Sequence, residues 1–103
     1  MKTSVYSIEK TLFEGETEKI VAQTAMGEIT ILDDHAPLIS LVRGGVKIYI
    51  KEKEGVIQSE HMIEIPVPFG FIEVQPKSKV VILVSDPDVS RPLKTVEISH
   101  KVV

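Results

Sequence analysis

Cysteine and tryptophan are absent from this chain of 103 residues, and aromatic residues make up only 5% of it. Without cysteine no disulfide can staple the fold, and no thiolate can ligate a metal or attack a substrate. A cysteine-free domain suits a reducing compartment. Long apolar runs are missing too. The longest, Val80 to Val84, falls far short of the roughly 20 residues that cross a bilayer as a helix. Met1 to Glu16 contains no apolar stretch of the roughly 7–15 residues that a signal peptide needs. A basic stripe is likewise missing, and the formal charge is −3, which gives no general attraction to phosphate backbones or anionic lipid. The expectation is a soluble domain with no nucleic-acid partner and no direct lipid insertion. Any link to a membrane then runs through another protein.

What is present is alternation. Val46, Ile48 and Ile50 alternate with Lys47, Tyr49 and Lys51, the period-2 pattern of a strand with one wet face. The charged stretch Lys51-Glu52-Lys53-Glu54-Gly55 then turns the chain. On the return, Ile63, Ile65 and Val67 share one face, and Glu64, Pro66 and Pro68 the other. Two prolines that cannot donate ladder hydrogen bonds predict an edge or irregular strand there. Phe71, Ile72 and Val74 form the next strand, ending at the turn Pro76-Lys77-Ser78-Lys79. Val80 to Val84, apolar on both faces, predicts a central strand. Near the start, a short strand ends at Leu12-Phe13, Gly15 breaks it, and Thr17 to Gln23 forms another. Many short strands, frequent turn signals and no sustained 3.6-residue period predict an all-β sandwich or flattened barrel. Hydrophobic residues at 43% and charged residues at 26% fit one globular domain with a single core.

The catalytic inventory is short. Asp33-Asp34-His35 is the most enzyme-like cluster. Adjacent residues on an extended chain face opposite ways, however, so the three converge only through a tight turn. Aspartate hydrogen-bonding its own backbone at a turn is the plainer account. Neither a Gly-x-Ser-x-Gly elbow nor a phosphate-binding glycine loop is present. Gly44-Gly45 before an alternating strand reads as a turn. No cofactor or metal site is expected. Ala36-Pro37-Leu38 stands out instead as an apolar bend stiffened by Pro37. Such a loop either docks a partner at small entropic cost or tucks Leu38 down as a cap on the core.

Four segments, LFEGETEKIVA, GEITILDDHAPL, GFIEV and VILVSD, occur in that order. Together they resemble the N-terminal domain of the epsilon subunit of rotary F-type ATP synthases, over about residues 5 to 86. The resemblance implies a flattened sandwich of two roughly five-stranded sheets, without an active site of its own. It implies a place in the central stalk, at the cytoplasmic face of the cell membrane and peripheral to it through the complex. The expected partners are the gamma subunit and the membrane rotor ring. Carried over by position, the rotor-ring loop falls on Met26, Gly27 and Glu28. The gamma-facing loop falls on His35, Ala36, Pro37 and Leu38, with Ser40 just beyond.

The departures are specific. Asp33-Asp34 stands where the family has Pro-Gly, Thr30 replaces the second glycine of its Gly-Glu-x-Gly pattern, and Phe69 replaces the first of the paired glycines before Phe71. The family continues into a C-terminal helical hairpin. Residues 1–86 are therefore read as the sandwich domain and 87–103 as a short tail or an extra edge strand, with neither ATP binding nor restraint of hydrolysis expected. Whether the missing hairpin reflects a naturally short form or a shortened chain is left open. Two rival readings remain at this stage. One is a free-standing β-sandwich that binds a peptide or carbohydrate at the edge marked by Pro66 and Pro68. The other is a small hydrolase using Asp33, Asp34 and His35.

Overall fold

The computed structural model describes residues 1–54, 57–85 and 94–101, with backbone alone for 51–54, 57–59 and 94–101. Branched apolar residues at every second position give strands that each bury one face. Among the described residues nine strands form: β1 Lys2–Ser7, β2 Thr11–Glu16, β3 Lys19–Thr24, β4 Gly27–Leu32, β5 Leu38–Glu54, β6 Ile57–Ile65, β7 Gly70–Gln75, β8 Lys79–Val84 and β9 Lys94–Lys101. No helix occurs among the described residues.

The hydrogen-bonded order is β2-β1-β8-β7-β5-β3-β4, with β6 added to β5 and β9 to β6. β5 reconciles this single path with a sandwich. Its first part, Leu38 to Val42, pairs with β7, while its second part, Val46 to Glu54, pairs with β6. β3 lies against the second part and reaches back to Val42 through a register shift. One layer is thus β2-β1-β8-β7 with the start of β5, and the other is β4-β3, the rest of β5, β6 and β9. Five strands serve each layer, with β5 shared. This matches the all-β sandwich that the sequence predicts.

Gly44-Gly45 does not reverse the chain as the sequence reading expects. β5 runs straight through both glycines, and Gly44 takes φ +120°, a conformation that side-chain-bearing residues rarely adopt. The pair redirects one long strand from the first layer into the second, the use to which glycine and bulges are put at sheet corners. Gly15 does not break its strand either. It pairs with Thr3 inside β2.

The inward faces meet in one cluster drawn from both layers. Val5, Ile20, Ala22, Ile31, Val42, Ile48, Val67, Ile72 and Ile82 are wholly buried within it. Each buried valine or isoleucine contributes about 1.5–3 kcal/mol of transfer free energy. One polar pair shares this interior. The hydroxyls of Thr3 and Thr17 lie 2.6 Å apart, and Thr17 also donates to the Met1 carbonyl at 3.3 Å. Both hydroxyls are satisfied, as buried polar groups need to be.

Two further expectations change. β6 is not an edge strand, because it lies between β5 and β9 and ends at Ile65, before either proline. The strand that motivated a peptide-binding module is therefore paired on both sides up to Glu64, and the two prolines fall in the irregular segment 66–69, the other form that the sequence reading allows. β8 is central, between β1 and β7, but only one of its faces is buried: Leu83, on the other, is 52% exposed. β9 covers residues 94–101 and pairs with β6 over eight positions, Glu64 opposite Lys94 through Ile57 opposite Lys101. The charged turn at Gly55 and the remaining tail residues, 87–93 and 102–103, lie outside the described residues.

Candidate docking site

β4 carries the two sequence-predicted loops at its opposite ends. Met26, Gly27 and Glu28 belong to the hairpin that enters it, and His35 to Leu38 follow the turn that leaves it. β4 itself is six residues long, roughly 20 Å at about 3.3 Å per residue. The two groups of site residues are therefore not brought together. They occupy different ends of one body.

At the first end, Thr24 closes the hairpin. Its hydroxyl donates to the Gly27 carbonyl at 2.6 Å and accepts from the Met26 N–H at 3.2 Å. Gly27 sits at φ +111°, which lets a loop of two residues, Ala25 and Met26, reverse the chain. Met26 projects at the tip, 98% exposed. The Glu28 carboxylate accepts a hydrogen bond from Gln23 Nε2 at 2.7 Å, which holds the acid against its own hairpin.

At the other end, Leu32 to His35 form a turn closed by the His35 N–H donating to the Leu32 carbonyl at 3.2 Å. Asp34 takes φ +61°, a left-handed conformation that aspartate tolerates better than most residues. Its partner is not its own backbone, as the sequence suggests, but Ser78 in the β7–β8 turn. The Asp34 N–H donates to Ser78 Oγ at 3.1 Å, and that hydroxyl lies 3.2 Å from Asp34 Oδ1. The His35 ring, through Nδ1, lies 2.7 Å from the Ala36 carbonyl. Asp33 faces the α-amino group of Met1 at 3.8 Å. Asp33 and Asp34 thus share Ser78, Asp33 also taking the local Asp34 N–H that the sequence reading suggests, while the His35 ring turns to the Ala36 carbonyl instead. Among the described residues no group of three or more His, Cys, Asp or Glu could hold a metal ion.

Ser78, 44 residues away in sequence, is the positioning residue that local reading missed. No nearby pattern marks it.

Ala36 and Pro37 are exposed, while Leu38 is half-buried and packs against the core. Leu38 therefore does tuck down, and the exposed apolar side chain is its neighbour Ile39. Ser40 faces inward on β5, opposite Ile72. Substituting Leu38 with a charged residue consequently reads on stability as well as on docking.

The hydroxyl of Ser78 foremost holds the Asp33 carboxyl below its ordinary value; desolvation opposes it, and the α-amino group and the Asp34 backbone N–H add to the lowering. A depressed folded pKa means that the ionised form supports the fold above the unfolded value of about 3.9 and that this support is lost as pH falls through the folded value. The Asp33→Asn variant should therefore lose less thermal stability than the parent between about pH 4 and pH 2. Parallel melting curves for the two over that range contradict this account of the turn.

The described residues form a two-layer sandwich with a shaped loop at either end of β4. Comparisons with known proteins narrow that fold class. Residues 1–86 match the family model of the ATP synthase delta/epsilon chain, β-sandwich domain, and the chain belongs to that family. It is 35% identical over 82 residues to the ATP synthase epsilon chain of Bordetella avium, a match that covers 80% of this chain and 54% of that one. To the epsilon chain of Xanthomonas oryzae pv. oryzae it is 36% identical over 83 residues, covering 81% and 55%. The chain spans about half the length of these relatives. The fold is shared with a chain of the central stalk and c-ring of the Tetrahymena thermophila mitochondrial ATP synthase, with a TM-score of 0.60 at 16% identity over 82% of this chain and 63% of that one. A chain of the Euglena gracilis mitochondrial enzyme gives 0.61 at 19% identity, over 82% and 49%. β9 lies beyond the residues that the family model matches.

Proposed function

We propose that this chain is a non-catalytic central-stalk subunit of an F-type ATP synthase, coupling the gamma subunit to the membrane rotor ring during ATP synthesis driven by ion transport. The observation that carries the reading is the family match over residues 1–86, on a fold whose two apolar-tipped loops stand at opposite ends of one sandwich. A close-packed sheet-on-sheet body deforms little, so torque applied at one end arrives at the other without loss of angle to internal bending. Met26, Gly27 and Glu28 meet the polar loops of the ring. His35, Ala36, Pro37 and Leu38, with Ser40 behind them, meet gamma. Glu28 is a rim contact worth about 0–1 kcal/mol.

The domain needs no cofactor for this role. It works at the cytoplasmic face of the membrane as a peripheral part of the complex. Among the described residues no helix is long and apolar enough to cross a membrane, and membrane attachment is assigned to the partners. Mixing the purified chain with the gamma subunit of the same synthase should give a co-eluting complex at micromolar concentration. Two separate peaks at that concentration contradict the reading.

A further inference from the structure

The start of the chain is built into the sandwich, where a terminus ordinarily frays. The Met1 side chain is 1% exposed and packs against the core cluster. Its backbone pairs with Thr17 in both directions. The α-amino group donates to the Thr17 carbonyl at 2.9 Å, and the Thr17 N–H donates to the Met1 carbonyl at 2.8 Å. The Thr17 hydroxyl, itself buried against Thr3, is a second donor to that carbonyl. So anchored, the ammonium faces two carboxylates, Glu16 at 3.5 Å and Asp33 at 3.8 Å. Glu16 ends β2 in the first layer, and Asp33 opens the turn that leaves β4 in the second. The next residue reaches the same turn by another route. The Lys2 N–H donates to the Ser78 carbonyl at 2.9 Å, and Ser78 holds Asp34.

Magnitudes divide the work between the two parts of Met1. Glu16 and Asp33 are 81% and 67% exposed, so their ion pairs are weak and screened by salt. Burial of a whole methionine side chain is the stronger contribution. The side chain fixes where the ammonium sits, and the ammonium aims the turn.

We propose that Met1 is an N-terminal clamp, a positioning residue that ties the Leu32–His35 turn, and with it the apolar loop that follows, to the opposite layer. Loss of the clamp is hydrolysis of the Met1–Lys2 peptide bond. Water adds at the Met1 carbonyl carbon, the C–N bond breaks, methionine leaves as the free acid and Lys2 carries the new amine. That amine lies one residue, about 3.3 Å of strand, short of the clamp. In the folded chain the Met1 side chain is buried and its carbonyl carries two hydrogen bonds, so removal has to precede folding. None of this requires a partner subunit, and its failure leaves the stalk reading untouched.

The test compares three forms: the full chain, the same chain begun at Lys2 by release from a cleavable N-terminal fusion, and the full chain synthesised with Met1 N-acetylated. The Lys2 form should melt at least about 8 °C lower, and the acetylated form within about 3 °C of the parent. Hydrogen exchange separates a clamp from general loosening. The His35 N–H, which closes the turn, should exchange at least about tenfold faster in the Lys2 form and about threefold faster in the acetylated one. The Met26 N–H, at the far hairpin, should change by under about twofold. If the Lys2 form melts with the parent, or its exchange rises equally at both ends, the clamp is overturned. If the Lys2 form fails to fold, the acetylated chain decides: faster exchange at His35 upholds the clamp, and an unchanged rate overturns it.

Discussion

Gly70→Ala should unfold or nearly unfold the domain. A Cβ at this position would lie 2.3 Å from the Leu83 carbonyl oxygen and 2.8 Å from Val67 Cγ1. The first of these atoms is backbone in a central strand and cannot swing aside. β7 would have to move off β8, which disturbs the pairs Gly70–Val84 and Phe71–Leu83 together. Overpacking into a flexible surround costs about 1–3 kcal/mol. Against fixed backbone the loss should exceed about 3 kcal/mol, a large part of the roughly 5–15 kcal/mol that holds a domain of this size. Chemical denaturation of the variant measures it directly. An unfolding free energy within about 0.5 kcal/mol of the parent would mean that the two strands separate easily, and the rigid-body account would lose its basis.

The second large effect belongs to Ile82→Ala. Ile82 is wholly buried at the centre of β8, opposite Val5 on one side and Ile72 on the other, both also wholly buried. Three strands close around this side chain, and their hydrogen bonds limit how far they can collapse into the space it leaves. The loss should therefore be about 3–5 kcal/mol, towards the upper part of the range for such truncations. Ile39→Ala, also on the first layer but 73% exposed, should change stability by less than about 0.5 kcal/mol. Equal losses at Ile82 and Ile39 would contradict the assignment of inner and outer faces in the first layer.

Much of the fold could be read from alternation alone. β7, β8 and the Val46–Ile50 part of β5 each put branched residues on one face, and that pattern has a single meaning in a half-buried strand. β1 was harder to see. Lys2–Ser7 contains two hydroxyl residues on either side of Val5, and its stability comes from pairing with β2 and, in parallel, with β8, contacts that no local window contains. Gly44-Gly45 misled for a related reason. Paired glycines mark a place where the backbone leaves ordinary geometry, but they do not say whether it reverses or bends. Only the shared strand, paired with β7 before the glycines and with β6 after them, decides between the two.

The Ala36-Pro37-Leu38 loop is legible because it puts apolar residues where turns are normally polar, whereas Met26–Glu28 rests on the family resemblance alone. The apolar row Tyr6, Leu83, Phe71 and Leu41 on the outward face of the first layer, with Phe69 beside it, is not legible in the sequence. Its members come from β1, β5, the approach to β7, β7 itself and β8, and each alone looks like an ordinary strand residue. In sequence, Val81 and Leu83 read as the second buried face of a central strand. In three dimensions nothing in the chain's described residues covers them. Ser78 escaped notice in the same way, since its role depends on a loop 44 residues distant.

The central claim is that one stiff body touches two different neighbours with two different parts of its surface. Photo-crosslinking from single positions in the assembled synthase tests it most directly. A photoreactive residue at Met26 should capture the rotor-ring subunit, and one at the exposed Ala36 should capture gamma, with no exchange between the two products. Capture of the same subunit from both positions, or of neither, would contradict the account.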